Sequence, residues 1–246
     1  MMETIPVFQV QNLSLSRGRF QLLNQITCQI NKGERWCILG ENGAGKSTFL
    51  DCLTKYENDY SGGIRFQGSE LRKITLKKLF SALSVSYQNI NLQSHLTVHK
   101  YLSLVDFQSD RINLFLNYFN MPDKLFSPLH SLSGGEQRKL LVGASLFSEK
   151  EILFFDEPVI SLDQKSKLLF IEKLNSLPEK TIIIITHELD AALQTCDHFL
   201  GLKNGEIIFQ GDHSVMTEQN LSVLFDLPGE KLNSINTILL QRNTHQ

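Results

Sequence analysis

The spacing of apolar and polar positions changes character along this chain. In the first third it favours strands. FQVQNLSLS at 8–16 partly alternates, FQLLNQITCQI follows directly after an intervening turn, and GGIRFQG at 62–68 is short and bounded by glycine. ERWCILG at 34–40 is a compact apolar run that leads straight into a glycine-rich loop, the pattern of a buried strand. From about 97 to 148 the pattern turns helical, with Leu102, Val105, Leu114, Phe115 and Phe119 in a tract poor in β-turn signals. EILFFDE at 151–157 and TIIIITHE at 181–188 are apolar runs flanked by helical segments, which predicts parallel strands buried on both faces. Asn204-Gly205 between two apolar strands in FLGLKNGEIIFQG predicts a hairpin, and MTEQNLSVLFDL at 216–227 a short amphipathic helix.

Composition narrows the class. A length of 246 residues fits one large α/β domain with a small inserted lobe, and 41% apolar with 20% charged residues supports a sizeable core. The net charge of −2 gives no basic excess, so neither nucleic acid nor bulk lipid is an expected partner. Cys28, Cys37, Cys52 and Cys196 are scattered without CxxC or zinc spacing and read as reduced core thiols. The seven histidines show no metal-ligand spacing. No stretch approaches the roughly 18 apolar residues of a membrane span. The start, MMETIPVFQV, lacks a basic region followed by an apolar one, so a cytoplasmic location is expected. Work at a membrane would require another protein to hold the chain there.

The chemistry begins at GENGAGKST, residues 40–48, which fits G-x-x-x-x-G-K-[ST] between a predicted strand and a predicted helix. Glycines let backbone N–H groups close around an anion, and the helix N-terminus adds partial positive charge. Lys46 can reach the β and γ phosphates of a nucleotide, and the Ser47 hydroxyl can sit on magnesium. EILFFDEP then ends a buried strand in Asp156, a carboxylate suited to hold a metal's water shell, with Glu157 pointing elsewhere toward an attacking water. A second glycine-bearing helix start, HSLSGGEQRK at 130–139, lies some 85 residues after the first.

On these residues the chain resembles the nucleotide-binding subunit of ABC transporters over nearly its whole length. LSGGEQ at 132–137 matches that family's signature motif, Gln88 in SVSYQN its Q-loop glutamine, Asp163 in SLDQ its D-loop aspartate, and His187 in IIIITHE its switch histidine. The resemblance implies an α/β fold of the P-loop NTPase, ABC type. Its mixed central sheet carries an N-terminal antiparallel β subdomain and an inserted α-helical lobe. A single domain over 1–246 is implied, with 1–87 and 151–246 as catalytic core and 88–150 as the lobe bearing the signature. It also implies ATP as substrate, magnesium with it, and a head-to-tail dimer in which each ATP lies between one P-loop and the other subunit's LSGGE. Ser133, Gly134, Gly135 and Glu136 would then act on the neighbour's ATP, with Ser133 and the glycines presenting a hydroxyl and bare amides.

Roles follow from the same resemblance. Gly40, Asn42, Gly43, Ala44, Gly45, Lys46, Ser47 and Thr48 would cradle the nucleotide, with Lys46 neutralising the phosphates. Ser47, Gln88 and Asp156 would serve magnesium, Glu157 would polarise the water as general base, and His187 would contact the γ-phosphate. Partners would be a second copy of the chain, or a homologous subunit, and transmembrane permease subunits. The location would be peripheral, on the cytoplasmic face of the cell membrane.

Three features depart from the family pattern. EPVISLD carries Val159 and Ile160 where threonine and a small polar residue are common, and the stretch from Gln88 to Ser133 is short, which implies a trimmed lobe. LSLSRGRF puts Arg17 where an adenine-stacking tyrosine commonly stands, with Phe20 three residues on as the rival. SELRKITLKKLFSALSVSYQ and GDHSVMTEQNLSVLFDLP are similar to the importer branch that serves iron-siderophore, haem and cobalamin uptake. The alternatives are an exporter subunit, or a soluble ABC-type ATPase driving a cytosolic assembly such as iron–sulfur cluster biogenesis.

Overall fold

The computed structural model describes residues 5–88, 95–105 and 109–226; of the stretches read above, 1–4, 89–94, 106–108 and 227–228 fall outside it. The chain opens with β1 (Phe8–Arg17), β2 (Phe20–Ile30), β3 (Arg35–Leu39), α1 (Lys46–Leu53), β4 (Ser61–Phe66), β5 (Ser69–Glu70), α2 (Leu76–Ala82) and β6 (Leu83–Ser86). It continues through α3 (Val98–Leu104), α4 (Ser109–Tyr118), α5 (Gly134–Leu146), β7 (Ile152–Asp156) and α6 (Gln164–Asn175). It closes with β8 (Thr181–Thr186), α7 (Leu189–Thr195), β9 (His198–Lys203), β10 (Glu206–Asp212) and α8 (Glu218–Leu224). Two compact units result: one runs to Leu79 and resumes at Thr181, the other is Phe80–Lys180. The second is wider than the 88–150 lobe because β6, β7 and α6 pair and pack with the helices of that lobe.

The first unit holds the predicted antiparallel sheet, in the order β2-β1-β4-β5. The partial alternation of β1 has a physical cause. Its pairing with β2 slips between Val10 and Leu13, where Asn12 takes φ 48°, a left-handed conformation that asparagine tolerates. The slip turns both Val10 and Leu13 inward beside Phe8 and Leu15. The other sheet of this unit is mixed: β3 runs parallel to β8 and β9, and β10 returns antiparallel to β9. Every residue of β3 and β8 is buried, which is why neither alternates in sequence. Asn204 at φ 49° and Gly205 at φ 78° form the two-residue turn of the β9–β10 hairpin.

In the second unit β6 and β7 pair in parallel and α5 packs on both. The tract read as helical over 97–148 is interrupted. Between Tyr118 and Gly134 lie two single 3₁₀ turns, Pro122–Lys124 and Leu129–Ser131, because Pro122 and Pro128 cannot donate the helix hydrogen bonds. Leu102, Phe115 and Phe119 are buried as their spacing suggests, whereas Val105 and Leu114 face solvent. The rings of Phe115, Phe119 and Phe147 meet edge to face over α5. Gly143 lets them seat there, since a Cβ at that position would stand 2.0 Å from Phe115. All four cysteines are free and buried, and burial pushes the Cys28 and Cys52 thiols up to about 12. Among the described residues no helix is long and apolar enough to cross a membrane.

Candidate functional site

In the first unit, β3 delivers the chain at Gly40 into a tight loop that ends at Gly45, the N-cap of α1. Gly45 sits at φ 102°, and a Cβ there would lie 2.7 Å from the Leu22 carbonyl, so only glycine fits. No side chain caps α1 and no acid stands in its first turn, so the helix start keeps its positive character for an anion. Lys46 is buried, and its Nζ donates to the carbonyls of Gly40 at 2.7 Å and Glu41 at 2.9 Å. Ser47 is exposed and Thr48 half-buried on the first turn, with Asn42 and Gly43 exposed and Ala44 buried behind them.

The loop is fastened from behind. Ala44 N–H donates to the Glu41 carbonyl, while the Ala44 carbonyl accepts from Gly205 N–H at 3.0 Å. Beside the loop opens a cavity of about 450 Å³ lined by Glu41, Asn42, His187 and Phe225. His187 follows β8 directly, and the Thr186 hydroxyl before it accepts from the backbone N–H of Glu188 after it. The glycine loop and His187 therefore share one cavity. Phe225, just past α8, lies in the GDHSVMTEQNLSVLFDLP stretch that carries the importer likeness, where nothing in the sequence marks it as lining the site.

Arg17 ends β1 with its side chain 71% exposed, and Nη2 lies 2.9 Å from Glu57 Oε2. Phe20 is its cross-strand partner and is 70% exposed, so it is not a core residue. The Asp59 backbone N–H, then Arg17, hold the Glu57 carboxyl below its ordinary value.

The second unit carries its own set. Asp156 ends β7 and Glu157 follows it, both 4% exposed, and Glu157 takes φ 49°. Gln88 lies just beyond β6, exposed. The Arg138 guanidinium, from α5, reaches the backbone of all three. Nη1 donates to the carbonyls of Tyr87 at 2.9 Å and Gln88 at 3.2 Å, and Nη2 to those of Asp156 at 2.8 Å and Glu157 at 2.5 Å. Burial lowers its pKa, against the pull of the Asp156 and Glu157 charges.

The start of α5 is not bare. Ser133 and Glu136 form a reciprocal capping box: Ser133 Oγ accepts from Glu136 N–H at 3.3 Å, and Glu136 Oε2 accepts from Ser133 N–H at 2.8 Å. The Ser133 hydroxyl also donates to Glu136 at 2.9 Å, and Lys124 Nζ stands 2.9 Å from the other carboxylate oxygen. The amides of Gly134 and Gly135 remain as the exposed and half-exposed face of this start. Asp163 caps α6 by accepting from Ser166 N–H at 2.9 Å and meets Lys139 Nζ at 2.7 Å. Lys139 first, then Ser166 N–H, hold its carboxyl well below the usual range. Adjacent residues of α5, Arg138 and Lys139, thus grip the strand-end acids' backbone and the Asp163 carboxylate. Sequence reading missed both, because their acceptors include backbone oxygens and a residue far along the chain.

The ABC transporter family matches residues 23–160. The phosphonates import ATP-binding protein PhnC of Fusobacterium nucleatum is 32% identical over 247 residues, covering 91% of this chain and 99% of that one. The petrobactin import ATP-binding protein YclP of Bacillus subtilis is 29% identical, covering 89% and 92%. A solved structure described as the ATP binding subunit of an ABC transporter superposes with a TM-score of 0.79 at 23% identity, covering 94% and 99%, which establishes the fold.

Proposed function

The chain belongs to the ABC transporter family as an ATP-binding subunit with ATPase activity, and from that premise we propose that it powers an importer of a metal chelate such as an iron-siderophore, haem or cobalamin. One observation carries the nucleotide reading. A buried lysine lies over a glycine loop at an uncapped helix start, in the same unit and beside the same cavity as His187. The Gly40 and Glu41 carbonyls that accept from it are weaker partners for an ammonium than phosphate oxygens.

The donors expected for magnesium, the Ser47 hydroxyl, Gln88 amide and Asp156 carboxylate, are all hard oxygens, which suits that ion. Held there with ATP, the ion would supply neutralisation of the charge on the phosphates. The amides of 43–48 and Lys46 bind the phosphates, Glu157 takes the proton from the attacking water, and His187 holds the γ-phosphate's orientation. Ser133 and the glycine amides after it would complete the neighbour's site in a head-to-tail dimer.

The cargo assignment is supported by the α2 and α8 stretches and by the petrobactin relative, although another relative is named for phosphonates. A permease would receive the lobe along the tract from Leu96 to Phe119, hinged at Gln88, where Leu96, Leu104, Val105 and Leu114 are exposed. That docking places the chain on the cytoplasmic face of the cell membrane.

The test is Glu157→Gln. It should keep ATP binding, lower turnover by about 10²–10⁴-fold, and elute as a dimer with ATP and magnesium on size-exclusion chromatography. Turnover at the wild-type rate would remove Glu157 from the mechanism. Cysteine cross-linking from the lobe to co-expressed membrane subunits tests the docking face.

A further inference from the structure

Arg138 has no part in the roles assigned so far, yet it is 6% exposed and makes four hydrogen bonds to the backbone at two strand ends. Burying a guanidinium is costly unless its donors are matched. Here every acceptor is a carbonyl belonging to, or next to, a residue read as hydrolytic: Gln88 and its neighbour Tyr87 after β6, Asp156 and Glu157 at the end of β7. The shortest bond, 2.5 Å, goes to Glu157, whose φ of 49° lies in the left-handed region that non-glycine residues rarely hold. A planar fork of five N–H donors can serve four carbonyls at two strand ends at once; an ammonium has three donors and cannot serve all four. The same helix begins five residues earlier at the Ser133–Glu136 capping box, about 7–8 Å along its axis.

We propose that Arg138 is a positioning residue, which fixes Gln88 and the Asp156–Glu157 pair to the helix that begins with the signature. The inference rests on the reading of Glu157 as base and of Gln88 and Asp156 as metal-serving groups. It adds the element that sets their geometry. Removing the clamp leaves the P-loop intact, since that loop's fastenings lie in the other unit, so nucleotide binding and turnover should separate. Catalytic geometry is unforgiving: a misplacement of about 1 Å can cost on the order of 10²-fold in rate.

Arg138→Lys and Arg138→Ala are compared with Glu157→Gln in the full chain, measuring turnover, ATP affinity, half-saturating magnesium and thermal midpoint. Arg138→Lys should keep its midpoint and bind ATP within about twofold of wild type, while turnover falls about 10–100-fold and more magnesium is needed. Millimolar guanidinium ion should restore part of the turnover of Arg138→Ala, and methylammonium at the same concentration should not. Wild-type turnover and magnesium requirement in Arg138→Lys, beside an inactive Glu157→Gln, overturns the inference and leaves the base reading standing. Parallel loss of turnover and ATP affinity without guanidinium rescue also overturns it, as a general lesion of the fold. A Glu157→Gln chain at full rate takes down the base reading, and the inference with it.

Discussion

Lys46 Nζ donates to the Gly40 carbonyl at 2.7 Å, so the cation lies curled over the loop that precedes its own helix. It is already where an anion would be gathered, and its backbone partners are neutral. Lys46→Ala should therefore weaken ATP binding by about 1.5–3 kcal/mol, the worth of a hydrogen bond to a charged group. Calorimetric titration of the monomer checks this. Unchanged affinity would mean that the lysine serves only the loop.

Ser133→Arg separates the two glycine-bearing starts. A bulky cation at the head of α5 should block hydrolysis in the dimer while leaving the monomer's ATP affinity nearly unchanged. Ser133→Ala isolates the capping box, and its expected cost is about 1 kcal/mol of stability. If Ser133→Arg lost monomer binding as badly as Lys46→Ala, the head-to-tail arrangement would be wrong.

The capping box also sets a pH dependence. The Lys124 ammonium, then the Ser133 backbone N–H, hold the Glu136 carboxyl at about 2 instead of its ordinary 4.5. A carboxyl depressed in the folded state binds its proton more readily when unfolded, so its contribution is full above the unfolded value. That contribution fades as pH falls from about 4.5 toward about 2. The thermal midpoint of wild type minus that of Glu136→Gln should be constant at neutral pH and shrink across this window. A difference that grows on acidification contradicts the assignment.

We propose Arg17 rather than Phe20 as the partner that stacks on adenine: it stands where the family's aromatic commonly stands, and its side chain is largely exposed beside Glu57. Arg17→Ala should cost about 0.5–2 kcal/mol of ATP affinity, in the range of a cation–π contact. Arg17→Tyr should tighten ATP binding severalfold, and GTP should compete nearly as well as ATP, because neither contact reads the base edge. Fluorescence titration decides between the two residues. A large loss with Phe20→Ala and none with Arg17→Ala would transfer the role to Phe20.

Much of the fold was legible because burial on both faces writes itself as continuous apolar runs, as in β3, β7 and β8. The P-loop and the Asn204-Gly205 turn were legible because their backbone conformations restrict residue choice. The slip in β1 was not, since Asn12 is an ordinary polar residue in mid-strand until its φ is known. The break after Tyr118 was written in Pro122 and Pro128, but apolar spacing outweighed them in the reading. Arg138 lay outside what spacing can show. Its acceptors are carbonyls near positions 88 and 156, and backbone oxygens leave no mark in a sequence.

The β9–β10 turn looks like a place to insert a tag, since exposed hairpin tips commonly accept one. Here the tip is a buttress. Gly205 accepts from Asn24 N–H at 2.8 Å while donating to the Ala44 carbonyl at 3.0 Å, and Asn24 Nδ2 donates to Glu206 Oε1 at 2.6 Å. The nucleotide loop is thus a casting whose mould wall comes from some 160 residues downstream. Lengthening that distant turn should loosen nucleotide binding with every P-loop residue still in place, and evolutionary or engineered change at 204–205 would be felt first as lost affinity for ATP.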